Sequence, residues 1–112
     1  MRIAIPVAAG RLAAHFGHCE QFALLDVDTE RKLILGDEAV AAPPHQPGLL
    51  PGWLAERGAE VIIAGGMGMK AQQIFAEQGI SVVVGAPSEE PAAVARAFLE
   101  GTLRTGENLC DH

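Results

Sequence analysis

Two short apolar runs in the second half of the chain constrain the fold most strongly. The runs AEVIIAGG (59–66) and ISVVVG (80–85) are continuously apolar, as is typical of parallel strands that are covered on both faces. The segment between them, MGMKAQQIFAEQG (67–79), has a helical pattern that Gly79 closes. A strand, a helix and a second strand in this order predict a parallel, right-handed βαβ unit.

The first half of the chain predicts three strands with shorter links. RIAIPVA (2–8), QFALLDVD (21–28) and KLILGDEAV (32–40) are short, apolar and rich in strand-forming residues. Only three residues (29–31) separate the last two strands, so we expect an antiparallel hairpin there. The complete prediction is an α/β fold with a mixed five-stranded sheet flanked by helices. The sequence leaves the order of the strands open.

Two further helices complete the predicted order of elements. One helix is expected over GLLPGWLAERG (48–58), after a connector at 41–47 whose prolines exclude a helix or a central strand. The last helix is expected to end at Gly101, with Ser88 as the residue that caps its N-terminus. The two glutamates after that serine would then lie in the first turn, where carboxylates suit the helix dipole.

Composition limits the classes of function that the chain can have. The 112 residues carry a formal net charge of −6, which opposes non-specific binding to nucleic acid. The N-terminal apolar run is too short and too interrupted for a signal peptide or a membrane span, so we expect a cytoplasmic protein. The sequence contains no GxSxG motif, and its first strand lacks the carboxylates of a metal-dependent nuclease. We therefore expect a protein that is not an enzyme.

Three candidate metal ligands lie close together in the stretch HFGHCEQF (15–22). Imidazole and thiolate are the usual protein ligands of zinc, copper and iron–sulfur centres, which makes His15, His18 and Cys19 candidate ligands. Their spacing matches no standard zinc pattern. The alternative is that His15 caps a turn and that His18 is exposed.

A glycine-rich turn follows the first of the two apolar runs. Its residues are Gly65, Gly66, Met67, Gly68, Met69 and Lys70. The glycines would let the backbone approach a ligand closely, and free N–H groups together with the lysine would favour an anion. The two methionines would either pack in the core or cover a soft ligand. The turn matches neither the Walker A spacing nor GxGxxG.

The C-terminal sequence NLCDH supplies another pair of candidate ligands. Cys110 and His112 could complete a Cys₂His₂ set with the loop that contains His15 and Cys19. The alternative is a tail that has no part in binding. His45, in the proline-rich connector, is a further candidate.

Together these motifs resemble the dinitrogenase iron–molybdenum cofactor biosynthesis family, which includes NifX-like and NafY-like proteins and the C-terminal domain of NifB. HFGHCEQF, the run GAEVIIAGGMGMKAQQIFAEQGISVVVGA and AVARAFLEGTL carry the resemblance. It extends over 1–104 as a single domain and leaves 105–112 as a tail. The resemblance implies a ribonuclease-H-like three-layer fold without nuclease activity. It also implies that an iron–sulfur or molybdenum–iron–sulfur cluster, or a precursor, is bound for storage or for delivery to an acceptor protein.

The resemblance further indicates the binding residues and a partner. The family's histidine corresponds to His15, and its glycine turn corresponds to Gly65, Gly66 and Gly68. Small stand-alone members that resemble this chain are often encoded near P-loop ATPases of the Mrp type, so such an ATPase is an expected partner.

Two hypotheses from other classes stay open. In one, the protein is a binding or regulatory module that holds a single zinc, copper or iron ion through the cysteines and histidines. In the other, Cys19 and Cys110 cycle as a thiol redox pair. Acid-labile sulfide in the purified protein would favour the cluster carrier over both.

Overall fold

The structure is a computed structural model, and it describes residues 1–43 and 48–106. The elements in chain order are β1 (Arg2–Ala8), β2 (Arg11–Leu12), a short 3-10 helix (Phe16–His18), β3 (Gln21–Asp28), β4 (Leu33–Ala41), α1 (Leu49–Glu56), β5 (Val61–Ile63), α2 (Met69–Glu77), β6 (Ser81–Val83) and α3 (Pro91–Glu100). This order confirms the predicted α/β class, to which it adds β2 and the 3-10 helix. His45, Cys110 and His112 lie outside the described residues.

The strands form one mixed sheet in the order β4–β3–β1–β5–β6, with β2 paired to β1. β3 is antiparallel to both β1 and β4, so the predicted hairpin is confirmed. β5 is parallel to β1 and to β6, so the predicted βαβ unit is β5–α2–β6. Because β1, β5 and β6 run in one direction, the segments that follow them meet at one edge of the sheet. We call this edge the carboxyl edge.

Helices cover both faces of the sheet and give the fold its three layers. α1 and α2 pack over an apolar cluster that contains Phe22, Ile62 and Phe75. α3 packs over a second cluster, on the opposite face, that contains Ile3 and Leu25. None of the helices in the described residues is long and apolar enough to cross a membrane.

The strands of the βαβ unit are shorter than the apolar runs that predicted them. β5 covers only Val61–Ile63, within a predicted range of 59–66. The residues on either side still hydrogen-bond to neighbouring strands, since the Glu60 N–H donates to the Arg2 carbonyl and the Ala64 N–H donates to the Val83 carbonyl. The apolar run after β5 therefore continues into the core as a buried turn.

The predicted cap of α3 is wrong. Glu90 occupies the N-cap position and Pro91 is the first helical residue, so neither Glu89 nor Glu90 lies in the first turn. Proline suits that position because the helix needs no N–H group there. The Ser88 hydroxyl instead donates a hydrogen bond of 2.7 Å to the Leu12 carbonyl oxygen, which ties the start of the α3 segment to β2.

Candidate functional site

The two stretches that the sequence singles out meet at the carboxyl edge. The Phe16 N–H donates to the Gly66 carbonyl oxygen at 2.8 Å. His15 and Gly66 also form a parallel β-bridge. Residues 13–20, which we call the histidine loop, therefore lie alongside the glycine turn (65–70), with the contact at Gly66.

Hydrogen bonds hold both ends of the histidine loop against β1. The Ala13 N–H donates to the Pro6 carbonyl oxygen at 2.8 Å, and the Glu20 N–H donates to the Val7 carbonyl oxygen at 2.9 Å. The Glu20 carboxylate also accepts a hydrogen bond of 2.8 Å from the Ala9 N–H. The Glu20 side chain thus holds the end of the loop against the turn between β1 and β2.

The phenylalanine of the HFG motif anchors the loop in the core. The Phe16 ring is 9% exposed. Its centroid lies 5.4 Å from that of Phe75 at an edge-to-face angle of 77° and 6.2 Å from that of Phe22. Because Phe16 directly follows His15, burial of its ring fixes the backbone from which that histidine projects.

Gly65 is required by the packing of the turn against the loop. A Cβ atom at Gly65 would lie 2.8 Å from the Ala14 carbonyl oxygen and 3.0 Å from that of Ala13. The close backbone approach that the glycines predict therefore exists, but at Gly65 it brings two protein segments together. Gly68 differs, because a Cβ atom there would meet nothing within 4 Å.

Gly85, which is not among the predicted site residues, extends this backbone network. Its N–H donates to the Gly65 carbonyl oxygen at 2.6 Å, and its own carbonyl oxygen accepts a hydrogen bond of 2.6 Å from the Gly106 N–H. Gly85 has a φ of 79°, and a Cβ atom there would collide with the Gly106 carbonyl. The sequence contains a signal for this role of Gly85. VVVG (82–85) places a glycine just after β6, as IIAGG (62–66) places two glycines just after the parallel strand β5.

The two methionines of the turn have different environments. Met67 is 1% exposed and packs in the cluster beneath α1 and α2, so the core interpretation holds for this residue. The Gln72 side-chain amide also donates to the Met67 carbonyl oxygen at 2.9 Å. Met69 is 58% exposed, so only this thioether is accessible to a soft ligand.

The N-terminus of α2 lies at the end of the glycine turn. Gly68 is its N-cap residue and supplies no side-chain cap. The first N–H groups of a helix have no acceptor within the helix, and they lie at the positive end of its dipole. Lys70 is exposed in this first turn. This end of the turn therefore has the donors and the charge that an anion requires.

Cys19 is half-buried at the end of the histidine loop. Its side chain packs against the cluster beneath α1 and α2. Burial raises the pKa of the Cys19 thiol, with a backbone hydrogen bond lowering it less strongly. Cys19 is therefore protonated at neutral pH, which disfavours an activated nucleophile. A metal that binds this sulfur has to displace the proton.

The described side chains do not form a closed metal site. Among those that the structure describes, no three histidine, cysteine, aspartate or glutamate side chains converge to hold a metal ion. His15 is half-buried in the loop. A four-ligand zinc site is therefore not complete within this part of the chain.

Comparison with known proteins identifies the family to which this architecture corresponds. The model of the family described as dinitrogenase iron–molybdenum cofactor matches residues 1–101, which include the histidine loop and the glycine turn. The chain belongs to this family. Membership associates the chain with the iron–molybdenum cofactor of dinitrogenase, and thus with the handling of a cofactor.

Individual relatives are similar to this chain over nearly its whole length. The uncharacterized protein MJ0580 of Methanocaldococcus jannaschii is 29% identical over 110 residues, which are 96% of this chain and 92% of that protein. The crystal structure of PH0822 is similar with a TM-score of 0.88 and 30% identity, and the match covers 96% of both chains. The apo form of the orange protein from Desulfovibrio gigas is similar with a TM-score of 0.71 and 26% identity, over 96% of this chain and 93% of that one.

Proposed function

We propose that the protein binds a cluster of the iron–sulfur or molybdenum–iron–sulfur type, or a precursor of one, and holds it for storage or for delivery to an acceptor protein. The contact between Phe16 and Gly66 carries this proposal, because it joins the histidine loop to the glycine turn. A candidate imidazole ligand and the N-terminus of a helix thus lie at one edge of the sheet. Family membership supports the same class of cargo.

The chemistry of this edge suits a soft, anionic cargo. His15, His18 and Cys19 would supply ligands to the metals of the cluster. The N–H groups at the start of α2 and the charge of Lys70 would interact with the sulfides, and Met69 would provide an exposed, polarisable contact. A carrier has to release its cargo, so a short list of ligands favours delivery over permanent structural binding. On this proposal the protein is a carrier without catalytic activity of its own.

Cys110 and His112 are proposed as additional ligands. They lie outside the described residues, so the support for them is their chemistry and their C-x-H spacing. An acceptor apo-protein is the partner that a delivery role requires. A P-loop ATPase of the Mrp type stays a prediction that rests on the resemblance alone.

The other two hypotheses have less support. A single-ion site has only the types of its candidate ligands in its support, whereas the cluster proposal also has family membership behind it. A thiol redox protein needs a reactive thiolate, whereas burial raises the pKa of the Cys19 thiol.

The experiment that tests the proposal compares cargo loading in variants of the histidine loop. Protein purified without oxygen is offered iron, molybdate and sulfide, and the bound metal and acid-labile sulfide are measured. His15→Ala and Cys19→Ala are each expected to lose most of the loading. Gln73→Ala changes an exposed residue of α2 and serves as the control. Full loading of a variant that carries both loop substitutions would contradict the proposed site.

The tail requires a test of its own. Deletion of residues 108–112 is expected to lower the loading and to speed the release of cargo to a chelator. Cys110→Ser should reproduce most of that effect if the thiol is the ligand. Full retention of cargo by the shortened chain would show that the tail is not part of the site.

A further inference from the structure

The outer edge of β4 carries backbone groups that no described strand pairs. Among the strands that the structure describes, β4 is the last in the sheet and has β3 as its only neighbour. The Ala42 N–H donates to the Glu20 carbonyl at 3.1 Å, so it faces the β3 side. Since successive N–H groups of a strand point to opposite sides, the N–H groups of Ala41, Ala39 and Asp37 point away from β3. This edge is therefore able to accept another strand.

A groove lies beside this strand, on the face that α3 covers. Its volume is about 330 Å³. Its floor is apolar and is formed by Val7, Ala23 and Leu25. The β4 side contributes Asp37, Glu38 and Ala39, and the α3 side contributes Glu90, Pro91 and Ala92. None of the described residues that line the groove is basic.

Two carboxylates border the apolar floor. Asp37 pairs with the buried Leu25 across the β3–β4 ladder, so their side chains share the groove face. Glu90 lies across the groove, at the start of α3. Neither Asp37 nor Glu90 forms an ion pair with any residue that the structure describes. The groove thus combines an apolar floor with a negatively charged rim.

We propose that β4 and this groove dock an extended, basic segment of a partner protein. The segment would add a strand to the outer edge of β4, and alternate side chains would enter the groove. A lysine or arginine fits this shape, because its aliphatic stem covers apolar surface while its charged end meets the carboxylates. A second copy of this chain fits less well, because antiparallel pairing of two β4 strands would bring the carboxylates of Asp37 and Glu38 together.

The docking surface does not depend on the proposed carrier function. It includes no residue of the histidine loop or of the glycine turn. The two proposals can therefore fail separately, since loss of peptide binding would leave the loading of metal and sulfide unchanged.

A peptide titration tests the docking surface on the full chain. The probe is a short synthetic peptide of alternating lysine and valine, and a peptide with glutamate in place of lysine is the control. Amide chemical shifts of the isotope-labelled protein are followed by NMR. We expect the largest changes at residues 36–42 and 90–92, and a loss of affinity of about tenfold or more between low and high salt.

Two sets of variants test separately how the charged rim and the strand edge contribute to peptide binding. Asp37→Asn combined with Glu90→Gln should weaken binding of the lysine peptide about tenfold or more. Ala39→Pro removes an outward N–H group without removing a hydrogen bond to β3, so it should abolish the strand addition. Ala39→Ser keeps that N–H group and is the matched control.

Four results would overturn the docking proposal. Shifts that map away from β4, binding that neither variant changes, or equal binding of the glutamate peptide would each do so. Concentration-dependent shifts at β4 without any peptide would also overturn it, because they would identify a second copy of the chain as the occupant.

Discussion

Gly65 packs against the backbone of the histidine loop so closely that a methyl group does not fit. We expect Gly65→Ala to lower the free energy of unfolding by about 1–3 kcal/mol, because the loop backbone has to move. The displacement should also lower cargo loading. Urea unfolding and metal analysis check both effects.

Gly68→Ala is the matched control for that substitution. Its added methyl group meets nothing within 4 Å, and its φ of −67° suits alanine. Because alanine is a poorer N-cap residue than glycine, the free energy of unfolding should still fall by about 0.5–1 kcal/mol, less than for Gly65→Ala. Equal destabilisation by the two alanines would contradict the packing role of Gly65.

Burial of Cys19 predicts slow alkylation. Because the pKa of the thiol is raised, less thiolate is present at neutral pH than in a free cysteine. In a Cys110→Ser background, iodoacetamide should modify Cys19 more slowly than it modifies free cysteine in the same buffer. The rate should rise as the pH is raised through the pKa. An alkylation rate at neutral pH equal to that of free cysteine would show that the thiol is not protected.

At the scale of elements, α2 contacts the histidine loop through the aromatic pair of Phe75 and Phe16. Phe75 is fully buried and meets Phe16 edge to face. Phe75→Ala should lower the free energy of unfolding by about 3–5 kcal/mol. Phe75→Leu should cost less and keep the fold, while it shifts the NMR signals of His15. Unchanged His15 signals in the leucine variant would show that α2 does not position the loop.

The elements that the sequence predicts well are those whose signal is local. β1 and β3 have the predicted bounds because each is a short apolar run that the sheet buries. The prediction of the α3 cap was wrong because the Ser88 hydroxyl donates to the carbonyl oxygen of Leu12, which is distant in the sequence. The order of the strands could not be predicted either, since it depends on contacts between segments that are distant in the sequence.

The candidate site likewise has features that local sequence signals predict and features that depend on distant contacts. Residue types and the resemblance predicted the histidine loop and the glycine turn, and the rule that ligands bind at the carboxyl ends of parallel strands predicted the edge. The sequence could not show that Met67 is buried or that Gly65 packs against Ala14. Both facts depend on the contact between two turns that are remote in the chain.

At the scale of the whole molecule, Arg2 of β1 links the antiparallel strand β3 to the end of helix α1. Its guanidinium donates to the Asp26 carboxylate at 2.9 and 3.1 Å and to the Arg57 carbonyl oxygen, at the end of α1, at 3.0 Å. The hydrogen bonds from Arg2 lower the pKa of Asp26. The ion pair therefore contributes stability above the unfolded-state pKa of about 3.9, and that stability is lost as the pH falls through the lower folded-state pKa.

Asp26→Asn should reduce the acid sensitivity of the fold. The difference in Tm between neutral and acidic pH is expected to be smaller in the variant than in the natural chain. The effect should be small, because the Asp26 side chain is 50% exposed and water screens the pair. An identical pH dependence in the two proteins would show that this carboxylate does not take part in acid unfolding.

The central claim is that the carboxyl edge binds a metal–sulfur cluster. The most direct test is the metal and acid-labile sulfide content of protein purified without oxygen and offered iron, molybdate and sulfide, together with its visible absorption spectrum. We expect bound iron or molybdenum with stoichiometric sulfide and a charge-transfer band. Zinc or copper without sulfide, or no bound metal at all, would contradict it.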